Sequence, residues 1–215
     1  MRRRTTPDAG RRSEASRHAI LTAAFELAGE VGYAKLSVEG IAARAGVGKQ
    51  TIYRWWPSKG AVLLDAFLHL SEGDGGESDG GESDGGESDG GGGMALPDTG
   101  DLEADLKLVL RATVDEFADP RYDRPLRALT IEITNDPALA ARYAERLDGP
   151  MKEAKKARLR AAQEAGQLPA GLDLDVAVDL IWGPLLSRWL RRSGPLTHAY
   201  ADAVVETALR GLYAR

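Results

Sequence analysis

Apolar residues recur at helical spacing along most of the chain. Ile20, Ala23, Ala24, Leu27 and Val31 fall at i, i+3, i+4, i+7 and i+11. That stripe predicts a helix from about Ser16 to Val31, with Gly32 as its stop. Val38, Ile41, Ala42 and Ala45 repeat the spacing over two turns. Ser37 precedes them as an N-cap, and Leu36 and Ile41 have the spacing of a hydrophobic staple. Gly46 suits the left-handed turn that ends such a helix, and Val47 plugs the corner. A second short helix then carries Ile52 and Trp56 inward at i, i+4. Pro57 stops it, because proline restricts the residue before it. The pair reads as a helix-turn-helix. Ser58 caps a further helix to about Leu70, with Val62, Leu63, Ala66, Phe67 and Leu70 apolar.

Five more helices are predicted over 101–215. Asp101 caps the first, whose stripe is Leu102, Leu106, Val109, Leu110, Thr113 and Phe117. The second covers about Arg124 to Thr134, with Leu126, Leu129 and Ile133 apolar. The third covers about Ala138 to Ala165, bends at Pro150 and ends at Gly166. The fourth starts after Asp173, carries Val176, Leu180, Ile181, Leu185 and Trp189, and is expected to kink at Gly183-Pro184. The last starts after Thr197, with Ala203, Val204, Ala208 and Leu212 along it. The fold class is therefore all-α with about nine helices, a three-helix helix-turn-helix domain preceding a larger helical domain.

Between the two lies a stretch with no apolar period. Gly-Gly-Glu-Ser-Asp occurs three times in tandem, at 75–79, 80–84 and 85–89, and four glycines follow. Such a segment buries nothing and is costly to order, so 74–97 is expected to be a flexible acidic linker. It lacks the apolar residue that a calcium-binding glycine-Asp repeat places in each turn. Residues 1–12 are Arg-rich and aperiodic and are expected to form a disordered arm, either a solvated tail or a source of phosphate contacts. The remaining boundaries are 13–73 for the helix-turn-helix domain and 98–215 for the C-terminal domain.

The overall charge of -5 argues against a nucleic-acid partner until it is divided along the chain. Residues 1–70 hold 11 Lys/Arg against 6 Asp/Glu, a net +5. Residues 71–100 hold none against 9, and residues 101–215 hold 17 against 18. The positive charge thus coincides with the helix-turn-helix. The outer face of its second helix carries Lys49, Gln50, Thr51, Tyr53 and Arg54. Gln and Thr can hydrogen-bond base edges in a major groove, while Lys, Arg and a Tyr hydroxyl hold phosphates and fix register.

The run from Ala45 through Gly46, Gly48, Tyr53, Trp56 and Lys59 resembles the recognition helix and the following Tyr-x-x-aromatic-x-x-Lys signature of the tetracycline-repressor (TetR) family. The resemblance is close over residues 13–73; beyond them only the all-helical layout matches. It implies a homodimeric transcriptional repressor in the cytoplasm that binds double-stranded DNA at a palindromic operator and is released from it by a small-molecule ligand. The C-terminal domain would bind a small apolar or amphipathic ligand and carry the dimer contact. The resemblance further implies that Gln50 and Thr51 meet base edges and that Lys49 reaches a guanine or a phosphate. Tyr53 and Lys59 would hold phosphates. Ser37, Arg44, Gly48 and Arg54 complete the set, with Trp55 at a backbone-contacting position and Trp56 in the core. Gln50 replaces the small glycine common in the family, so base preference is not transferable. The long acidic insertion also departs from the family's short connection.

Other chemistry finds little support. Gly46-Val47-Gly48-Lys49 lacks the first glycine and the Ser or Thr of a phosphate loop, and no strand precedes it. Asp65 and His69 share a helix face at i, i+4, which as an isolated pair reads as solvated rather than metal-binding. There is no cysteine, so thiolate zinc sites and disulfides are excluded. No apolar run reaches the ~20 residues of a membrane span, and no signal stretch follows the arginines. No enzyme, cofactor or metal site is indicated. Phe117, Trp182, Leu186 and Trp189 are candidates to line a ligand cavity, with plain core packing as the competing reading. A constitutive or architectural DNA binder without ligand is the alternative function.

Overall fold

A computed structural model describes residues 9–73 and 95–213. They are helical, with no strand among them. The helices are α1 (Ala9–Val31), α2 (Val38–Ala45), α3 (Lys49–Trp55), α4 (Lys59–Gly73), α5 (Leu102–Ala118), α6 (Pro120–Asn135), α7 (Pro137–Tyr143), α8 (Gly149–Glu164), α9 (Leu174–Arg191) and α10 (His198–Tyr213). A π-helical turn, Ala144–Asp148, joins α7 to α8. The chain forms two compact units. One takes the described residues up to 73 together with 124–143, the other takes 95–123 and 144–213.

In the first unit α1 packs on α2 and α4, and α3 closes the helix-turn-helix against α2. Its core is the predicted one: Ile20, Ala24, Ile41, Ile52, Trp56 and Leu63 are almost wholly buried. The caps also match. Ser37 Oγ accepts from Gly40 N at 3.0 Å, and Ser58 Oγ accepts from Ala61 N at 3.2 Å. Gly46 takes φ 66°, where a Cβ would clash with its own backbone. Trp56 donates its indole N–H to Asp65 Oδ2 at 2.8 Å, and Arg142 of α7 binds the other Asp65 oxygen at 3.0 Å. Both Asp65 oxygens are thus engaged by protein donors, and His69 meets the His18 ring edge-on at 4.9 Å.

In the second unit α5 lies along α10, and α9 packs on both α8 and α10. Leu106, Leu110, Leu159, Ile181, Leu185 and Val205 form its centre. Asp101 caps α5 at Ala104 N, 3.0 Å, and Asp173 caps α9. A buried ion pair, Arg158 Nη2 to Asp105 Oδ2 at 2.8 Å, secures the start of this unit. Arg158 Nε also donates to Pro97 O at 2.9 Å, and Thr99 donates twice to Asp105. The chain is therefore pinned from Pro97 onward.

Several predicted boundaries move. The first helix begins at Ala9 rather than Ser16, so 9–12 are helical and not an arm; residues 1–8 lie outside the described residues. Only Ala9 and Ala15 are apolar over 9–15, which leaves no apolar period to read. Of the expected linker, 74–94 lie outside the described residues. The sixth helix starts at Pro120, whose missing N–H costs nothing at the first helical position, with Asp119 accepting from Arg121 N at 2.8 Å. The single helix expected over 138–165 divides at the π-turn. A Cβ at Gly149 would lie 2.7 Å from the Ala144 carbonyl, and Pro150 sits in the first turn of α8. Counting α7 through α8 as one restores the nine expected. On α9, Val176 and Leu180 are not core but half exposed, because Ala177 and Val178 occupy the inner face. Val31 and Ala203 are also exposed.

Candidate nucleic-acid interface

The reading surface is built by α2, the Gly46 turn and α3. Residues Ile52 and Trp56 anchor α3 from behind. This orientation leaves Lys49, Gln50, Tyr53 and Arg54 exposed, Tyr53 by 45% despite its ring. Thr51 is half-buried, its backbone N–H closing the first turn on Gly48 O at 2.8 Å. Gly48 caps α3 without a side chain and is exposed. Trp55 is half-buried, edge-on to Trp56 at 5.4 Å, and the Arg54 guanidinium lies over its ring at 5.1 Å. The Ser37 hydroxyl accepts from Gly40 N and keeps its own O–H free to donate. Gln50, Tyr53 and Arg54 share one exposed surface with Lys49, as their spacing predicts.

Three of the expected DNA contacts have partners that spacing did not reveal. Lys49 pairs with Glu39, in the first turn of α2. That hydrogen bond holds the Glu39 carboxyl below the usual carboxylate range and raises Lys49. Arg44 forks onto Glu30 at 2.8 and 2.7 Å and reaches Glu26 at 3.5 Å. Glu30 is held low by the Arg44 hydrogen bonds. Lys59 turns back on the α1–α2 connection, donating to Tyr33 O and Leu36 O at 3.1 Å each, with its ammonium over the Tyr33 ring. Two of its three N–H donors are engaged inside the head. Tyr33 Oη is buried beside Gly60 and Glu132; burial first, then Glu132 and Asp136, push its pKa up.

These helices match known proteins over nearly their whole extent. Residues 20–66 match the model described as bacterial regulatory proteins, tetR family, and residues 96–208 match the tetracyclin repressor-like C-terminal domain. The chain belongs to the tetR family. It is 32% identical over 204 residues to the HTH-type transcriptional regulator YdeS of Bacillus subtilis, covering 94% of this chain and 92% of that one. Among solved structures, the TetR family transcription regulator SCO0332 superposes with a TM-score of 0.69 at 34% identity, covering 93% of this chain and 99% of the other. FadR from Bacillus subtilis, crystallised with stearoyl-CoA, shares the fold at TM-score 0.61 and 22% identity, covering 91% and 98%. The protein is a TetR-family helix-turn-helix transcriptional regulator that binds DNA.

The candidate ligand residues of this TetR-family chain are brought together only in part. Phe117 stacks on Trp189 with ring centroids 4.5 Å apart and planes 19° from parallel. Trp189 is buried and donates its indole N–H to Asp123 Oδ1 at 2.7 Å. Trp182, two turns earlier on α9, is half-buried against the core. Leu186 does not join them. It is 46% exposed, since Leu185 takes the inward position and the next residue turns about 100° away. Sequence reading missed Lys155 of α8, half-buried with its ammonium 4.9 Å above the Trp182 ring and its pKa pushed down by burial. Nothing in the lysine-rich run of α8 singles it out. Among the described residues no group of three or more His, Asp or Glu could hold a metal, and no helix is long and apolar enough to cross a membrane.

Proposed function

We propose that this regulator is a cytoplasmic homodimeric repressor that reads a palindromic operator with α3 and leaves it when a small amphipathic ligand binds. The observation that carries the DNA half is the orientation of α3: Ile52 and Trp56 face inward while Gln50, Tyr53 and Arg54 face solvent together. Gln50 and Thr51 are assigned to base edges, Tyr53, Arg54, Ser37 and Lys49 to the backbone. A single α3 spans few base pairs, so two copies about 34 Å apart give both length and affinity. Support for the dimer is the outward stripe of α9. Val176, Leu180, Leu186 and Leu190 are 51, 50, 46 and 38% exposed, and Gly183 and Ser187 between them permit close approach of a second helix.

An amphipathic ligand with an acidic end fits the second unit. Lys155 has no hydrogen bond or ion pair among the described residues, and the aromatic side chains Trp182, Trp189 and Phe117 lie on the same unit. Stearoyl-CoA in the FadR structure is a ligand of that class bound by a neighbour of the same fold.

The test is selection of duplexes from a randomised pool by the wild-type protein and by Gln50→Ala. The expected result is a two-fold symmetric site for the wild type and an altered base preference for the variant. An unsymmetric or sequence-blind selection overturns the reading. Leu180→Glu is expected to yield monomers that no longer retain the selected duplex. Long-chain fatty acids and their CoA esters are expected to raise the melting temperature of the wild type, but less that of Lys155→Gln.

A further inference from the structure

Three cations around the reading face are engaged by the protein itself. Lys59 is bound to backbone carbonyls, Arg44 to two glutamates and Lys49 to Glu39. The two carboxylate pairs are not equivalent. Arg44 joins α1 to α2 through a bidentate fork, a brace within the head. Glu39 and Lys49 join the first turn of α2 to the first residue of α3 by a single contact, and both side chains are largely exposed. An exposed pair of this kind is easily exchanged. A carboxylate and a phosphate present the same acceptor oxygen to an ammonium, so a duplex arriving at α3 competes with Glu39 for Lys49.

We propose that Glu39 determines discrimination between operator and random DNA, as an internal stand-in for phosphate that occupies Lys49 until base contacts on α3 displace it. The proposal rests on the reading that α3 enters the groove. Random DNA offers phosphates alone, and against a preformed Glu39–Lys49 pair it gains little from this lysine. An operator adds base-edge contacts at Gln50 and Thr51, which carry the exchange. Glu39 remains ionised at neutral pH, because the Lys49 hydrogen bond and its own backbone N–H hold its carboxyl low.

The experiment is fluorescence anisotropy on a random-sequence duplex across a salt series, with wild type, Glu39→Gln, Lys49→Gln and the double variant. Glu39→Gln keeps the side-chain shape, and circular dichroism checks that each variant is folded. Glu39→Gln is expected to bind random DNA about two- to fivefold more tightly. Its salt slope should be steeper by about 0.9, the contribution of one freed cation. The double variant should show no gain over Lys49→Gln. Affinity for the duplex selected by wild type should rise by less, so the ratio of specific to random binding falls. The proposal is overturned if Glu39→Gln leaves random binding and slope unchanged, or if its gain persists without Lys49. It is equally overturned if Glu39→Gln loses only selected-duplex affinity, which would make Glu39 a base reader. If Lys49→Gln leaves both affinity and salt slope for the selected duplex unchanged, Lys49 does not meet DNA there and the underlying reading fails first.

Discussion

Arg158→Met is expected to destabilise the second unit by about 3 kcal/mol. Arg158 and Asp105 are each no more than 4% exposed and lie 2.8 Å apart. Removing one partner of a buried pair costs about 3–5 kcal/mol, because the other charge stays behind without its counterion. The lower end applies here, since the cover is the 97–101 segment and Thr99 still donates two hydrogen bonds to Asp105. Three kcal/mol is roughly a hundredfold in the folding equilibrium, and roughly 6–12 °C in melting temperature for a chain of this size. The assay is thermal and urea unfolding followed by tryptophan fluorescence, with Asp105→Leu/Arg158→Met as a second variant. Well-packed apolar replacements of buried pairs are often neutral, so the double variant should recover most of the loss. The pH dependence has a definite sign. Burial pushes the Asp105 carboxyl up, but hydrogen bonds from Arg158 and Thr99 outweigh it and hold the folded pKa below the ordinary 3.8. The stabilisation is therefore full above 3.8 and is lost as pH falls through the folded value, so wild type and Asp105→Asn should converge in acid. A single variant within about 2 °C of wild type, or a double variant no better than Arg158→Met, refutes the reasoning.

Two further outcomes separate fold from recognition in the head. Trp56→Phe leaves the mostly buried Asp65 without its indole donor and should cost about 2 kcal/mol or more in thermal unfolding; an unchanged melting temperature would show that the hydrogen bond is not formed in solution. Lys59→Ala should lower the melting temperature and leave the salt slope of DNA binding as it was, whereas Arg54→Ala should flatten that slope by about 0.9; the reverse pattern returns Lys59 to the phosphates.

Hydrophobic period and cap chemistry were enough to read most of this molecule from its residues. Ser37, Gly46, Ser58, Asp101 and Asp173 mark helix ends through bonds to backbone groups two to four positions away, which sequence displays directly. The inward Ile52 and Trp56 fix the outward side of α3 in the same way, so the exposure of Gln50, Tyr53 and Arg54 was legible. Where a stretch holds no apolar residues at helical spacing, as at 9–15, no period marks the start of its helix. Tertiary structure alone decided which charges are engaged. Lys49, Arg44 and Lys59 look equally available along the chain, yet their partners Glu39, Glu30 and the Tyr33 carbonyl lie 10, 14 and 26 residues away and meet them only when helices pack. It also decided that Leu185 faces the core and Leu186 the solvent, because a helix's rotation about its axis is set by the neighbours it packs against, and α9 has apolar residues on both of its sides.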